Sequence, residues 1–222
     1  MSGALVCAHR GASLDLPDNS MAAFAAAVAS GCELIETDVR MTAAGELVLA
    51  HDTWDLERDD LVTLEALLDL AAGQVGLDLE IVEFGLERAL LDLVAGFPGR
   101  LLVTSIFPEV LVEMNRLTDS IETGLVIEAP IGDVPFPTDL FALTDACGAA
   151  VTLVEDPLAV PELISRAHGD DRPFWVYTVN DAGRMRELFE TPGVAGVITD
   201  HPVLACEVRT GLRSDDSPQR RR

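Results

Sequence analysis

Eight short apolar runs, each followed by a longer stretch with helical spacing, constrain this chain more than any other feature. The runs fall at 4–8, 34–39, 77–81, 101–105, 124–127, 150–154, 174–178 and 196–199, and the helical patterns begin near Asn19, Thr63, Gly85, Pro108, Pro137, Pro157, Asp181 and His201. Local chemistry supports several of these starts. Asn180-Asp181 can cap a helix ahead of Arg184-Met185, and proline suits the first turn at 108, 157 and 202. Eight strand–helix repeats predict an α/β fold, a closed parallel (β/α)8 barrel forming a single domain over residues 1–213. An open doubly wound sheet is the alternative, but no G-x-G-x-x-G follows a strand. A chain of 222 residues with 49% apolar content can fill one such core.

One segment breaks the alternation. Only Met41 to Glu46 separates the run ending at Asp38 from the run ending at His51, too few residues for a crossover helix. Ala43-Ala44-Gly45 reads as a hairpin tip. The second strand is therefore expected to overshoot the barrel, turn, and return antiparallel, bringing His51 back beside Asp38 at the mouth. Residues 52–62 follow as an acidic loop, and the polar tail Ser214–Arg222 is expected to be disordered.

Charge narrows the partners. The net charge is -23, and all 15 basic residues are arginine. Such a chain should repel nucleic-acid backbones and anionic membranes at low salt. A salt-rich cytoplasm accounts for both features, whereas a GC-rich genome explains the arginines but not the acids. No apolar stretch is long enough to span a membrane, and the first run begins by residue 4, leaving no room for a secretory leader. Cytoplasmic residence is the expectation. Cys7, Cys32, Cys147 and Cys206 form no C-x-x-C pair and read as reduced thiols, which argues against zinc.

The strand ends carry the chemistry. His9, Glu36, Asp38 and His51 each close an apolar run, where a barrel delivers side chains to its open rim. Glu36 and Asp38 are two apart, so both point the same way, and two such carboxylates need a cation or a proton. Glu80 ends the neighbouring strand and faces inward by the same alternation if Asp78 and Ile81 do not. Three carboxylates without cysteine suit a hard divalent cation, Mg²⁺ or Ca²⁺. His9 and His51 can serve as base and acid near neutral pH. Arg10 offers a planar fork to phosphate or carboxylate, and Gly11 would let the backbone come close to a ligand. His168, ahead of Gly169, reads as a partner of a helix C-terminus, and His201, after Asp200 at the mouth of the last strand, reads first as a surface residue and second as a catalytic one.

Taken together, Ala8-His9-Arg10-Gly11-Ala12, Pro17-Asp18-Asn19-Ser20, Glu36-Thr37-Asp38-Val39, the Gly45 turn, His51-Asp52, Leu79-Glu80-Ile81, Thr178-Val179-Asn180-Asp181 and Gly196-Val197-Ile198-Thr199-Asp200 resemble the glycerophosphodiester phosphodiesterases. The resemblance runs from residue 8 to about 202 in order. It implies a TIM barrel related to the phosphatidylinositol phospholipases C. It also implies an acid/base pair in His9 and His51, metal ligands in Glu36, Asp38 and Glu80, and a phosphate contact in Arg10. In that family a glycerol hydroxyl is thought to attack phosphorus, expelling the alcohol through a cyclic phosphate that water opens.

Several positions depart from the family pattern. Val82 stands where the family usually has lysine, and the aromatic after the serine pair is displaced in Thr104-Ser105-Ile106-Phe107. Tyr177 replaces a tryptophan and keeps an aromatic wall for substrate. The stretch after His51-Asp52 is shorter than usual, which implies a more open mouth, with Trp54 either lining it or packed. Three functions compete on this basis: hydrolysis of a small-molecule glycerophosphodiester, a lysophospholipase D-like reaction on lipid, and phosphodiester binding without turnover. Retention of both histidines and all three acids favours an enzyme. The oligomeric state is not encoded in any of these features.

Overall fold

A computed structural model describes residues 3–57, 60–129 and 139–215. In chain order the elements are β1 (Leu5–His9), α1 (Met21–Ser30), β2 (Leu34–Met41), β3 (Leu47–Leu49), β4 (Val62–Thr63), α2 (Leu64–Ala71), β5 (Gly76–Ile81), α3 (Glu87–Val94), β6 (Leu101–Ser105), α4 (Pro108–Leu117), β7 (Glu122–Ile127), α5 (Leu140–Ala146), β8 (Val151–Glu155), α6 (Pro161–Gly169), β9 (Phe174–Tyr177), α7 (Ala182–Glu190), β10 (Val194–Thr199) and α8 (Pro202–Asp215). Short 3-10 turns occupy Thr53–Glu57 and Asp156–Leu158. Eight strands, β1, β2 and β5 to β10, pair in parallel around a ring that the β1–β2 pairing closes. This is the (β/α)8 barrel that the alternation predicts.

The helices start where side chains can take up their free amides. Ser20, Thr63, Asp139 and Asp181 each accept a hydrogen bond from an amide in the first turn of α1, α2, α5 and α7. Pro108 and Pro202 open α4 and α8, while Pro157 falls in a 3-10 turn and Pro161 opens α6 instead. The expected start at Pro137 lies outside the described residues, and α5 begins at Leu140. α8 runs to Asp215, so the first two residues of the expected tail are helical; 216–222 lie outside the described residues.

Two cores result. Between barrel and helices lies a large layer that includes Phe24, Ile35, Leu64, Leu79, Leu90, Met114, Phe141 and Val176. Inside the barrel, Cys7, Leu34, Leu102, Val151, Leu153, Trp175 and Ile198 fill the lower floor. Gly196 is required there, since a Cβ would collide with the Trp175 indole. Cys7, Cys32 and Cys147 are buried free thiols and Cys206 is partly exposed.

The hairpin forms as anticipated. β3 runs antiparallel to β2 with Val39 opposite Leu49 and Met41 opposite Leu47, and Gly45 turns the chain at φ 86°. The two-residue β4 adds to β3 as a tenth strand, which the sequence did not suggest.

Candidate active site

In a parallel barrel every second residue of a strand points inward, so register decides which side chains meet. Glu36 lies beside Asp78 and Asp38 beside Glu80 on the adjacent strands β2 and β5. Four carboxylates therefore form two rungs on the inner wall. Ligand oxygens of Glu36, Asp38 and Glu80 lie within 4.8 Å of one another. Their surroundings are low in solvent and strongly anionic. Burial, with the charges of Asp38 and Asp78, pushes the Glu80 carboxyl up to about 8, and burial likewise drives Glu36 well above the usual carboxylate range.

This trio meets the demands of a hard divalent cation: oxygen donors only, buried at Glu36 and Asp38 and half-buried at Glu80, and more negative charge than Arg10 offsets. Its orientation is fixed by neighbours. Asn19 Nδ2 donates to Asp38 Oδ2 at 3.0 Å and is itself held by Thr37 Oγ1 at 2.7 Å. The Arg10 amide donates to Glu36 Oε2 at 2.9 Å.

The expectation for Asp78 needs correction. Asp78 is two residues from Glu80 and lines the same cleft, while Ile81 packs outward into the helix layer. The two-residue period requires this outcome. Thr104 Oγ1 donates to Asp78 Oδ1 at 2.8 Å, Oδ2 has no partner, and burial pushes the carboxyl up to about 7.

His9, at the end of β1, points its Nδ1 at Asp200 Oδ1, 2.6 Å away, leaving Nε2 on the cleft side, 4.0 Å from Glu36 Oε2. Asp200 also accepts from Asn180 Nδ2 at 2.6 Å and Ser13 Oγ at 3.1 Å. Burial alone would raise the Asp200 carboxyl, but the bonds from His9, Asn180 and Ser13 hold it at about 2. For His9, burial works against the charged ring. The Glu36 charge and the Asp200 bond outweigh it, so the ring keeps its proton above the ordinary imidazole range. His51 sits across the cleft at the end of the hairpin return, its ring exposed and 3.2 Å from Asp52 Oδ1.

Arg10 adopts φ 54°, with Nε 3.1 Å from Asp38 Oδ2 but not aligned for a hydrogen bond. Its guanidinium thus faces the cleft with donor capacity left over. Tyr177 lines the opposite wall, and its hydroxyl is buried without a partner. At Gly11 a Cβ would meet Ala23 of α1 at 2.7–2.9 Å, so the close contact seen there is to a helix. His168 lies in the last turn of α6, and His201 Nδ1 accepts from the Leu204 amide at the start of α8; neither lines this cleft.

The departures from the family pattern can also be placed. Val82 and Ile106 line the cleft, while Phe107 packs at a tilt against exposed Phe84, ring centroids 4.6 Å apart. Trp54 is 69% exposed and is neither packed nor part of the lining. Asn19, Arg40, Asp78 and Asp200 are site residues to which the sequence reading gave no role. Arg40 and Asp78 follow from strand alternation, but nothing local in the sequence marks Asn19 or Asp200 as partners of Asp38 and His9. The whole cleft holds about 200 Å³.

Comparison with known proteins agrees with this fold. The model of the glycerophosphoryl diester phosphodiesterase family matches residues 9–84 and 82–204. A glycerophosphodiester phosphodiesterase of Bacillus altitudinis is 25% identical over 94% of this chain and 99% of its own length. Among solved structures, a glycerophosphodiester phosphodiesterase from Thermotoga maritima superposes with a TM-score of 0.78 at 19% identity, covering 94% of this chain and 100% of its own. A phosphodiesterase from Oleispira antarctica, in complex with the product sn-glycerol-3-phosphate, gives 0.80 at 19% identity, covering 95% and 97%.

Proposed function

Since the chain belongs to the glycerophosphoryl diester phosphodiesterase family, we propose that it hydrolyses small glycerophosphodiesters to glycerol 3-phosphate and an alcohol. Glu36, Asp38 and Glu80 would hold a divalent cation, Mg²⁺ or Ca²⁺, and His9 and His51 would be the acid–base pair. The observation that carries this reading is the convergence of three mutually close carboxylates, two histidines and an incompletely bonded arginine in one cleft.

A bound cation would neutralise charge on the phosphoryl oxygens as it develops. The chain's own groups do the rest. Arg10 offers its guanidinium to a phosphoryl oxygen, and Tyr177 supplies a wall against which the diester rests. One histidine takes the proton of the attacking glycerol hydroxyl as its oxygen bonds to phosphorus. The other gives a proton to the departing alkoxide as its bond to phosphorus breaks. In the second stage water attacks the cyclic phosphate and the two rings exchange roles. Asp200 occupies Nδ1 of His9, so proton transfer runs through Nε2, the nitrogen that faces the cleft.

The cleft's volume of about 200 Å³ lies below the range usual for drug-sized ligands, which supports a small headgroup over an acyl-bearing lipid. No described helix is long and apolar enough to cross a membrane. Release of glycerol 3-phosphate from glycerophosphocholine, with Mg²⁺ or Ca²⁺ at both low and multimolar salt, tests the proposal. The absence of turnover under all four conditions overturns it.

A further inference from the structure

The path from β3 to the Thr53–Glu57 turn poses a backbone problem. Ala50 still pairs with β2 through its amide, which donates to Asp38 O at 3.0 Å. Beyond it the chain leaves the sheet, and the carbonyls of Ala50 and His51 no longer face a partner strand. Arg40, the last inward residue of β2, takes both. Its Nε reaches Ala50 O at 3.1 Å and His51 O at 3.0 Å, and Nη2 reaches His51 O at 2.5 Å.

Glu83, just past β5, holds the guanidinium from the far side. Nη1 donates to Glu83 Oε2 at 3.2 Å, and the Met41 amide donates to Glu83 Oε1 at 2.8 Å. One planar fork therefore joins β2, the loop after β5 and the two residues that aim His51. Among the described residues little else does so, since the His51 ring is 44% exposed and pairs with Asp52, itself 34% exposed.

We propose that Arg40, braced by Glu83, is a positioning residue for His51, acting on its main chain. Arginine suits the task because its donors diverge in a plane, whereas a lysine ammonium cannot meet two carbonyls and a carboxylate in that geometry. A displacement of about 1 Å in a reacting group lowers rate by about 100-fold, so loosening this clamp falls on kcat. The cation ligands and Arg10 lie outside the clamp's hydrogen bonds, so KM is largely spared.

The inference rests on the role given to His51 above, and the test separates the two. Arg40→Met should lower kcat on glycerophosphocholine by about 10- to 100-fold with KM within threefold, Arg40→Lys somewhat less, and Glu83→Gln by a few-fold. Millimolar guanidinium should restore part of the activity of Arg40→Ala. Arg184→Met is the control: it removes a comparable clamp, onto Asp156 and the Ala159 carbonyl, and should leave kcat within about twofold while lowering thermal stability similarly. Amide order parameters of residues 50–52 give a readout independent of turnover and should fall from about 0.85 to below about 0.6 in Arg40→Met. A kcat within threefold of wild type, or order parameters unchanged in Arg40→Met, overturns the clamp. If wild type itself releases no glycerol 3-phosphate, the hydrolase reading fails and the order parameters alone decide the clamp.

Discussion

His9 and His51 line one cleft, yet the molecule holds them by different means. His9 stands on a barrel strand, and its ring is held through its side chain: Asp200 on Nδ1, with Asn180 and Ser13 fixing Asp200 in turn. His51 stands on the hairpin excursion, and the bonds that hold it run to its carbonyl while its ring stays exposed. The difference follows from location. Neighbouring strand ends surround a residue on the rim of a closed barrel and can supply side-chain partners. A residue past the end of the returning strand, as His51 is, has no strand pairing of its own and depends on whatever grips its backbone.

The largest test of this contrast removes the rings themselves. His9→Ala and His51→Ala should each lower kcat by about 10²–10⁴-fold, the range of acid–base catalysis, measured as glycerol 3-phosphate release. A loss confined to His9 would remove the paired role and leave the hairpin side as mere enclosure. The next test asks about the partners. Asp200→Asn should cost about 10²–10³-fold, because an amide no longer enforces the Nδ1–H tautomer that leaves Nε2 facing the cleft. Asp52→Asn should cost less than about threefold, since an exposed ion pair contributes little. Equal losses in the two variants would erase the distinction drawn here.

The acids on the barrel side of the cleft differ among themselves, through pH. Glu80 and Asp78 have carboxyls raised to about 8 and about 7, above the ordinary values near 4. The folded state therefore binds their protons more tightly than the unfolded chain does. Their contribution to stability is complete below about pH 4 and is lost as pH rises toward 8. For Asp78 alone the loss is on the order of 4 kcal/mol. Asp200, held at about 2, has the opposite sign: its contribution is present above about pH 4 and disappears toward pH 2. Melting curves in a chelator should show stability falling from pH 5 to 9, with excess Mg²⁺ or Ca²⁺ cancelling the fall. Asp78→Asn should make the chelator curve shallower and leave the part due to Glu80. A chelated protein whose melting temperature ignores pH across this range would contradict the account of the buried acids.

What could be read from the sequence divides along similar lines. The barrel strands were legible because each is a short apolar run with a polar residue at its end, and the hairpin because six residues cannot hold a helix. Strand β4 was not, since Val62–Thr63 is too short to show any period. Glu36, Asp38 and Glu80 were legible as strand-end acids. Asp78 is the exception: grouping it with Ile81 predicts an outward side chain, but it shares parity with Glu80 and faces the cleft. The Asp200–His9 pairing spans 191 residues, and only closure of the barrel from β10 back to β1 brings the two together. Arg40 had a legible direction, being two residues beyond Asp38. Its acceptors are backbone carbonyls, however, and no residue identity advertises them.

The smallest expected effect concerns the segment just beyond His51, and it probes how open that side of the cleft is. Trp54 is 69% exposed and is not among the residues that line the cleft. Truncating a side chain that has lost so little solvent removes almost no buried apolar area, so Trp54→Ala should change stability by less than about 0.5 kcal/mol. It should also leave kcat/KM for glycerophosphocholine within about twofold, because no contact to substrate is being removed. A rise in KM of tenfold or more would mean that the indole folds over the bound headgroup. The hairpin side would then close on substrate, and the contrast with the fixed His9 side would be one of motion as well as of bonding.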